Sequence, residues 1–160
     1  MIEPGIRILL ITPRTFDYEK EIKSELEKFG CTVDWYDDRP SSTPLVKALA
    51  RFRPELIASM ANKYFDQILT DSSNVNYDVV FVIKGESILY RHLQKLKKEH
   101  PESRFLYYTW DSLRNFKNGK QKLSLFDKTY SFDRSDSQVV PNIKHLPLFY
   151  IDSYKIGNQP

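Results

Sequence analysis

Five short runs of this sequence concentrate the charged and hydrogen-bonding side chains from which a site is built: Pro13-Arg14, Asp37-Asp38-Arg39, Lys84-Gly85-Glu86-Ser87, Trp110-Asp111-Ser112 and Asp133-Arg134. The run beginning at Lys84 is the most informative, because a charged pair follows the wholly apolar VVFVI without transition. Gly85 permits a tight turn or a close backbone approach. Lys84 suits a phosphate or a sugar hydroxyl, and Glu86 suits hydroxyl binding or general-base work. The competing reading is local: Ser87 caps the next helix and Glu86 favours its N-terminal dipole. In Trp110-Asp111 an indole face for stacking stands beside a carboxylate, a pairing suited to sugars. Its alternative is an aromatic packed at a sheet edge, with Asp111 capping a short helix. Arg14 is placed to hold an anion near a helix N-terminus, or to pair with Asp37 or Asp38.

Other chemistries lack their residues. No Gly-x-Gly-x-x-Gly follows the first apolar run and no Walker A pattern exists, so no nucleotide cofactor is expected. His92, His100 and His145 have no metal-ligand spacing. The first two read as surface residues on or after a helix, the third as partly buried in a strand. Cys31 is the one cysteine, which rules out an intrachain disulfide and reads as a small buried residue. The formal charge of +3 is too weak to imply nucleic acid without a clustered basic face. Lys95, Lys97 and Lys98 read as a solvated helix face. The N-terminus has no signal-peptide pattern, and no run approaches the ~20 apolar residues of a membrane span. A cytoplasmic protein, at most peripheral at the inner membrane face, is expected.

The elements that must position these residues alternate. Strands are expected at 6–12, 31–36, 77–83, 104–109, 128–132 and 144–148. The first and third are near-continuous aliphatic runs of the kind covered on both faces. Asp17 is expected to cap a helix carrying Ile22, Leu26 and Phe29, which Gly30 stops. Residues 41–73 read as two helices joined near Arg53, one with the stripe Leu45, Leu49, Phe52, the next with Leu56, Met60, Tyr64, Ile68; Pro54 interrupts them. A helix to about 99 turns Leu89, Leu93 and Leu96 inward. Shorter helices fall within 113–126 and at 135–139. This order predicts an α/β, Rossmann-like, doubly wound and mainly parallel sheet of about six strands with helices on both faces. In such a sheet, ligands bind beyond the strand carboxyl ends, where all five runs lie.

Taken together, IRILLITPRTFDYEKEIKSELEKFGCTVDWYDDRP, YDVVFVIKGESI, FLYYTWDSLRNF, LFDKTYSFDRSD and HLPLFYID resemble, in order and over nearly the whole chain, the CgeB-like, lipopolysaccharide-biosynthesis-type bacterial glycosyltransferases. The resemblance implies a GT-B architecture of two Rossmann-like domains, of which residues 1–156 would be the N-terminal, acceptor-side one and 157–160 a tail or linker start. It implies a sugar or glycan acceptor as partner, with a nucleotide-sugar held only by a second domain absent here, and hence no turnover by this chain alone. On that reading Arg14, Lys84, Gly85, Glu86, Trp110 and Asp111 touch the acceptor, with Glu86 or Asp111 as base. The alternative is a noncatalytic single-domain Rossmann-like binding or protein-interaction module.

Overall fold

The computed structural model describes residues 5–39, 54–115 and 119–151. The chain runs β1 (Arg7–Ile11), α1 (Tyr18–Lys28), β2 (Thr32–Tyr36), α2 (Pro54–Ser72), β3 (Val79–Ile83), α3 (Tyr90–Glu99), β4 (Arg104–Thr109), a 3-10 turn (Leu113–Asn115), α4 (Gly119–Leu123), β5 (Lys128–Ser131), α5 (Arg134–Val139) and β6 (Ile143–His145). The described strands form one six-stranded sheet in the order β2-β1-β3-β4-β5-β6, every pair parallel. This is the expected Rossmann-like α/β fold, with the aliphatic strands β1 and β3 side by side in its interior.

Strand alternation divides the core in two. Leu9, Ile11, Val80, Val82, Phe105 and Tyr107 face α2 and α3, where Phe65, Ile68, Leu93 and Leu96 complete a closed cluster. Ile8, Leu10, Val33, Ile83 and Tyr108 face the opposite way, toward Ile22 and Leu26 of α1. Each fully buried aliphatic side chain contributes roughly 1.5–3 kcal/mol by leaving water. Cys31 is buried, as its type suggests.

Several local expectations are corrected. Asp17 precedes α1 but caps nothing through its side chain, since its backbone is left-handed (φ 62°). Its carboxylate pairs with Lys20 instead. Pro54 is the first residue of α2, where its missing N–H has no intrahelical role. Along α2, Tyr64 and Ile68 of the expected stripe pack on the core beside Phe65, whereas Met60 is exposed. The stripe Leu45, Leu49, Phe52 and the joint at Arg53 lie outside the described residues, as do residues 157–160. The N-cap of α3 is Leu89 rather than Ser87. That places Glu86 too far upstream to act on the helix dipole.

His92 and His100 are not surface residues. His92 is 2% exposed and stacks on Phe65 with ring centroids 4.7 Å apart. The Leu89 N–H donates to its Nδ1 at 3.2 Å, so the proton sits on Nε2, which donates to Asn62 at 3.1 Å. His100 is buried against Ser72 and Tyr77. Both lie on helix positions that look polar in the sequence but face inward. His145 is half-buried, as expected.

Candidate functional site

The strand order reverses between β1 and β3: the chain leaves β1 for β2 on one side and returns to β3 on the other. In sheets of this kind the loops after two such strands diverge, and the carboxyl edge there is where ligands bind. The loop after β3 begins with Lys84 in a left-handed backbone (φ 61°), followed by Gly85 at φ 60°. Two successive left-handed residues turn the chain sharply over the end of the strand. The Lys84 carbonyl accepts from Tyr107 Oη at 3.0 Å and its N–H donates to Tyr108 O at 2.9 Å, which fixes the turn to β4.

The Lys84 ammonium, with its side chain 14% exposed, lies 2.6 Å from Asp111 Oδ2 and 3.3 Å from Glu86 Oε1. Burial disfavours its charge, but the hydrogen bond to Asp111 and the field of Glu86 outweigh this and raise its pKa above the ordinary lysine value. On the far side, Arg39 reaches Glu86 at 4.0 Å and Asp38 at 3.6 Å. Asp38 is fully buried. Its Oδ2 accepts from the Glu86 N–H at 2.9 Å, while Oδ1 has no hydrogen bond. Burial raises its pKa to about 6, against the opposing Glu86 N–H and Arg39. Lys122 is buried beneath the turn and donates to the Gly85 carbonyl at 2.9 Å. Burial lowers its pKa to about 8 despite the attraction of Asp38 and Glu86.

Lys84, Gly85, Glu86 and Asp111 thus do share one surface, the ends of β3 and β4 being neighbours. The indole of Trp110 departs from it. Trp110 packs edge-on against Tyr18 at 6.2 Å and against Phe149 at 6.1 Å, on the α1 side of the sheet. Arg14 makes neither expected side-chain ion pair. Its guanidinium lies over Trp35, 5.4 Å from the ring centroid, while its backbone N–H donates to Asp37 at 3.4 Å. Asp133 caps α5 through the Ser135 N–H at 2.8 Å.

Two contributors, Lys122 and Asp136, were not singled out in the sequence, and the burial of Asp38 was not foreseen. Lys122 looked like one more helix lysine, and Asp38 like the second of an acidic pair. Asp136, buried, accepts from Ser131 Oγ and the Leu113 N–H and ties β5 to the 3-10 turn.

Gly85 is required by space as well as by dihedral angle. A Cβ there would lie 2.7 Å from Val82 Cγ1 and 3.1 Å from Ile88 Cγ2. Gly85→Ala is therefore expected to lower stability by about 1–3 kcal/mol, from left-handed strain and overpacking together. Urea melts measure this, and an unchanged midpoint would mean that the turn relaxes freely.

No family model matches this chain. No curated protein matches it either. Solved structures similar to it include a response regulator from Thermotoga maritima, 14% identical over 76% of this chain and 79% of that one, with a TM-score of 0.42. Another is a CheY-like response regulator receiver domain from Methylobacillus flagellatus, 18% identical over 77% of this chain and 83% of that one, with a TM-score of 0.44. At such identities the likeness concerns the fold alone.

The expected kinship with CgeB-like, lipopolysaccharide-type glycosyltransferases is overturned. The similar structures are response regulator domains, and no family or curated match supports a glycosyltransferase. The acceptor-side role and the sugar-acceptor partner fall with it. The physical reason lies in what the matching segments encode. IRILLIT and YDVVFVI are buried parallel strands followed by polar carboxyl-edge loops, a pattern that any Rossmann-like sheet requires. Among the described residues, no helix is long and apolar enough to cross a membrane.

Proposed function

We propose that this chain is a noncatalytic Rossmann-like module that binds a protein partner at the carboxyl edge of its sheet. The observation that carries this reading is Phe16. It sits in the loop after β1, beside the reversal of strand order, with a left-handed backbone (φ 52°) and a side chain 80% exposed. A bulky aromatic held in a disfavoured backbone region and turned toward water costs stability twice, and such strain collects where a surface is used. Glu19, buried at the start of α1, accepts from the Thr15 N–H at 3.1 Å and pins the loop that presents Phe16.

Phe16 does not stand alone. Its ring lies 5.9 Å from Tyr18, which meets Trp110 and Phe149, and Tyr150 is 79% exposed beside them in sequence. Aromatic side chains bring large contact area at low entropic cost and dominate protein interfaces. The ion-paired group of Lys84, Glu86, Asp111 and Arg39 supplies a polar rim on the same edge. Its opposed charges are engaged with one another, which suits positioning and specificity more than proton transfer.

The test is photo-crosslinking in the source cells, with a benzophenone side chain at Phe16 or Phe149 and a control at the exposed Lys98. Both edge positions should trap the same protein, and Lys98 should not. Purified with its partner, Phe16→Ser is expected to weaken binding by about 2 kcal/mol or more, as for an interface anchor. Absence of adducts, or the same adducts from Lys98, would refute the reading.

A further inference from the structure

The two faces of the sheet are unequally covered, and the strand order dictates this. A right-handed crossover places its helix on a face set by the direction in which the chain moves across the sheet. The step from β1 to β2 moves one way and puts α1 on one face. The steps from β2 to β3, β3 to β4, β4 to β5 and β5 to β6 all move the other way and carry α2 to α5 to the opposite face. Among the described residues, α1 is therefore the one helix on its side, and it covers β1 and β2.

Beyond it, β3 to β6 present side chains on this face that remain partly or wholly exposed. Phe81, Leu106 and Lys128 stand in one cross-strand row, Tyr130 and Lys144 in the next, and Val79 with Arg104 before them. Val79, Phe81, Leu106 and Tyr130 are half-buried. A groove of about 1030 Å³ runs between this apolar strip and Leu26 of α1. Arg104, Lys128 and Lys144 are exposed, and among the described residues none of the three has an ion-pair partner. By contrast, Lys95 and Lys97 on the other face are paired with Asp66 and Asp127.

We propose that this face is a docking surface for an amphipathic helix of a partner protein whose apolar stripe is edged by Asp and Glu. The shape is that of a missing layer, since a sheet face of this width is ordinarily closed by a second helix parallel to the first. The charge selects the occupant: an apolar strip bordered by three unpaired cations matches acidic residues flanking a helical stripe. Asp78, Glu99 and Glu102 line the amino end of the groove, so the partner's acidic edge lies along β5 and β6 and not at that end. A second copy of this chain would bring the same basic border to the contact, so the charge favours an acidic partner over a dimer. The groove is lined by none of Phe16, Tyr18, Trp110 or Phe149, so either proposal stands if the other fails.

The experiment uses the full chain and two synthetic helical peptides of about 18 residues with the same leucine stripe. In one peptide the stripe is flanked by Glu, in the other by Lys. Fluorescence anisotropy should show the Glu-flanked peptide binding at least about tenfold more tightly, with the preference shrinking as salt rises. The double variant Lys128→Glu, Lys144→Glu changes only exposed side chains, and its melting temperature verifies the fold. It should reverse the preference. Leu106→Asp should abolish binding of both peptides.

Equal affinity for the two peptides, no binding of either, or insensitivity to the charge reversal would overturn the proposal. So would a concentration-dependent dimer lost in the Leu106→Asp variant, which assigns the face to a second copy. Binding that occurs only after removal of residues 152–160 would assign it to the chain's own tail and overturn it equally.

Discussion

Val80→Asp is expected to abolish the folded state. Val80 is fully buried in β3, paired to Leu9 of β1 on one side and Phe105 of β4 on the other. Its side chain enters the cluster formed with Phe65, Ile68, Leu93 and Leu96, whose tyrosines, Tyr77 and Tyr107, already commit their hydroxyls to Asp34 and to the Lys84 carbonyl. An ionised aspartate there either remains charged without a partner or takes up a proton, and both cost several kcal/mol. Set against a total stability of about 5–15 kcal/mol for a domain of this size, that is enough to unfold it. Val80→Ala separates polarity from volume. It removes two methyl groups, should cost about 2–3 kcal/mol, and should keep a cooperative melt. Circular dichroism and amide exchange give the readout. In the parent protein the Val80 and Val82 amides should be among the slowest to exchange, being held in an interior strand. A Val80→Asp protein that melts cooperatively at the parent temperature would place β3 at the surface.

The fold was legible because its signals are local and repeated. Continuous aliphatic runs marked β1 and β3, and alternation with helices marked parallel pairing. The strand ends were read within a residue or three. The capping details were not legible, since they depend on backbone angles: Asp17 has the right side chain in the wrong dihedral region, and Leu89 begins α3 with no capping group of its own. In the site, the meeting of Lys84, Glu86 and Asp111 followed from the adjacency of β3 and β4. What escaped was burial. His92, Asp38 and Lys122 carry polar names but lie inside, because α2, α4 and the loop after β2 close over them. Burial of a single polar residue leaves no periodic trace in the chain.

That hidden burial leads to the second large effect, a pH dependence in which two groups oppose each other. Asp38, with an ordinary value of 3.8, is raised to about 6 by burial. The folded state thus holds its proton where the unfolded chain has lost it. Asp38 therefore contributes stability at low pH, and this contribution is lost as pH rises from about 4 to about 6. His92, with an ordinary value of 6.5, is lowered to about 4, again chiefly by burial, with Arg91 adding to it. Here the folded state refuses a proton that the unfolded chain accepts, so stability is lost as pH falls from 6.5 toward 4. Each shift corresponds to about 2–3 kcal/mol at full extent. The windows overlap and the signs are opposite, so the two contributions nearly cancel in the parent protein. Removing either one should expose the other. Relative to the parent, Asp38→Asn should lose about 2–3 kcal/mol between pH 6.5 and pH 4, while His92→Gln should gain a similar amount over the same interval. The Asn carbonyl can still accept from the Glu86 N–H, so the turn after β3 is retained. Urea melts of the three proteins across this range decide the matter. Curves of parallel slope would mean that Asp38 and His92 ionise as they do in the unfolded chain. Divergence in opposite directions would identify these two buried groups as the pair whose proton uptake balances on folding.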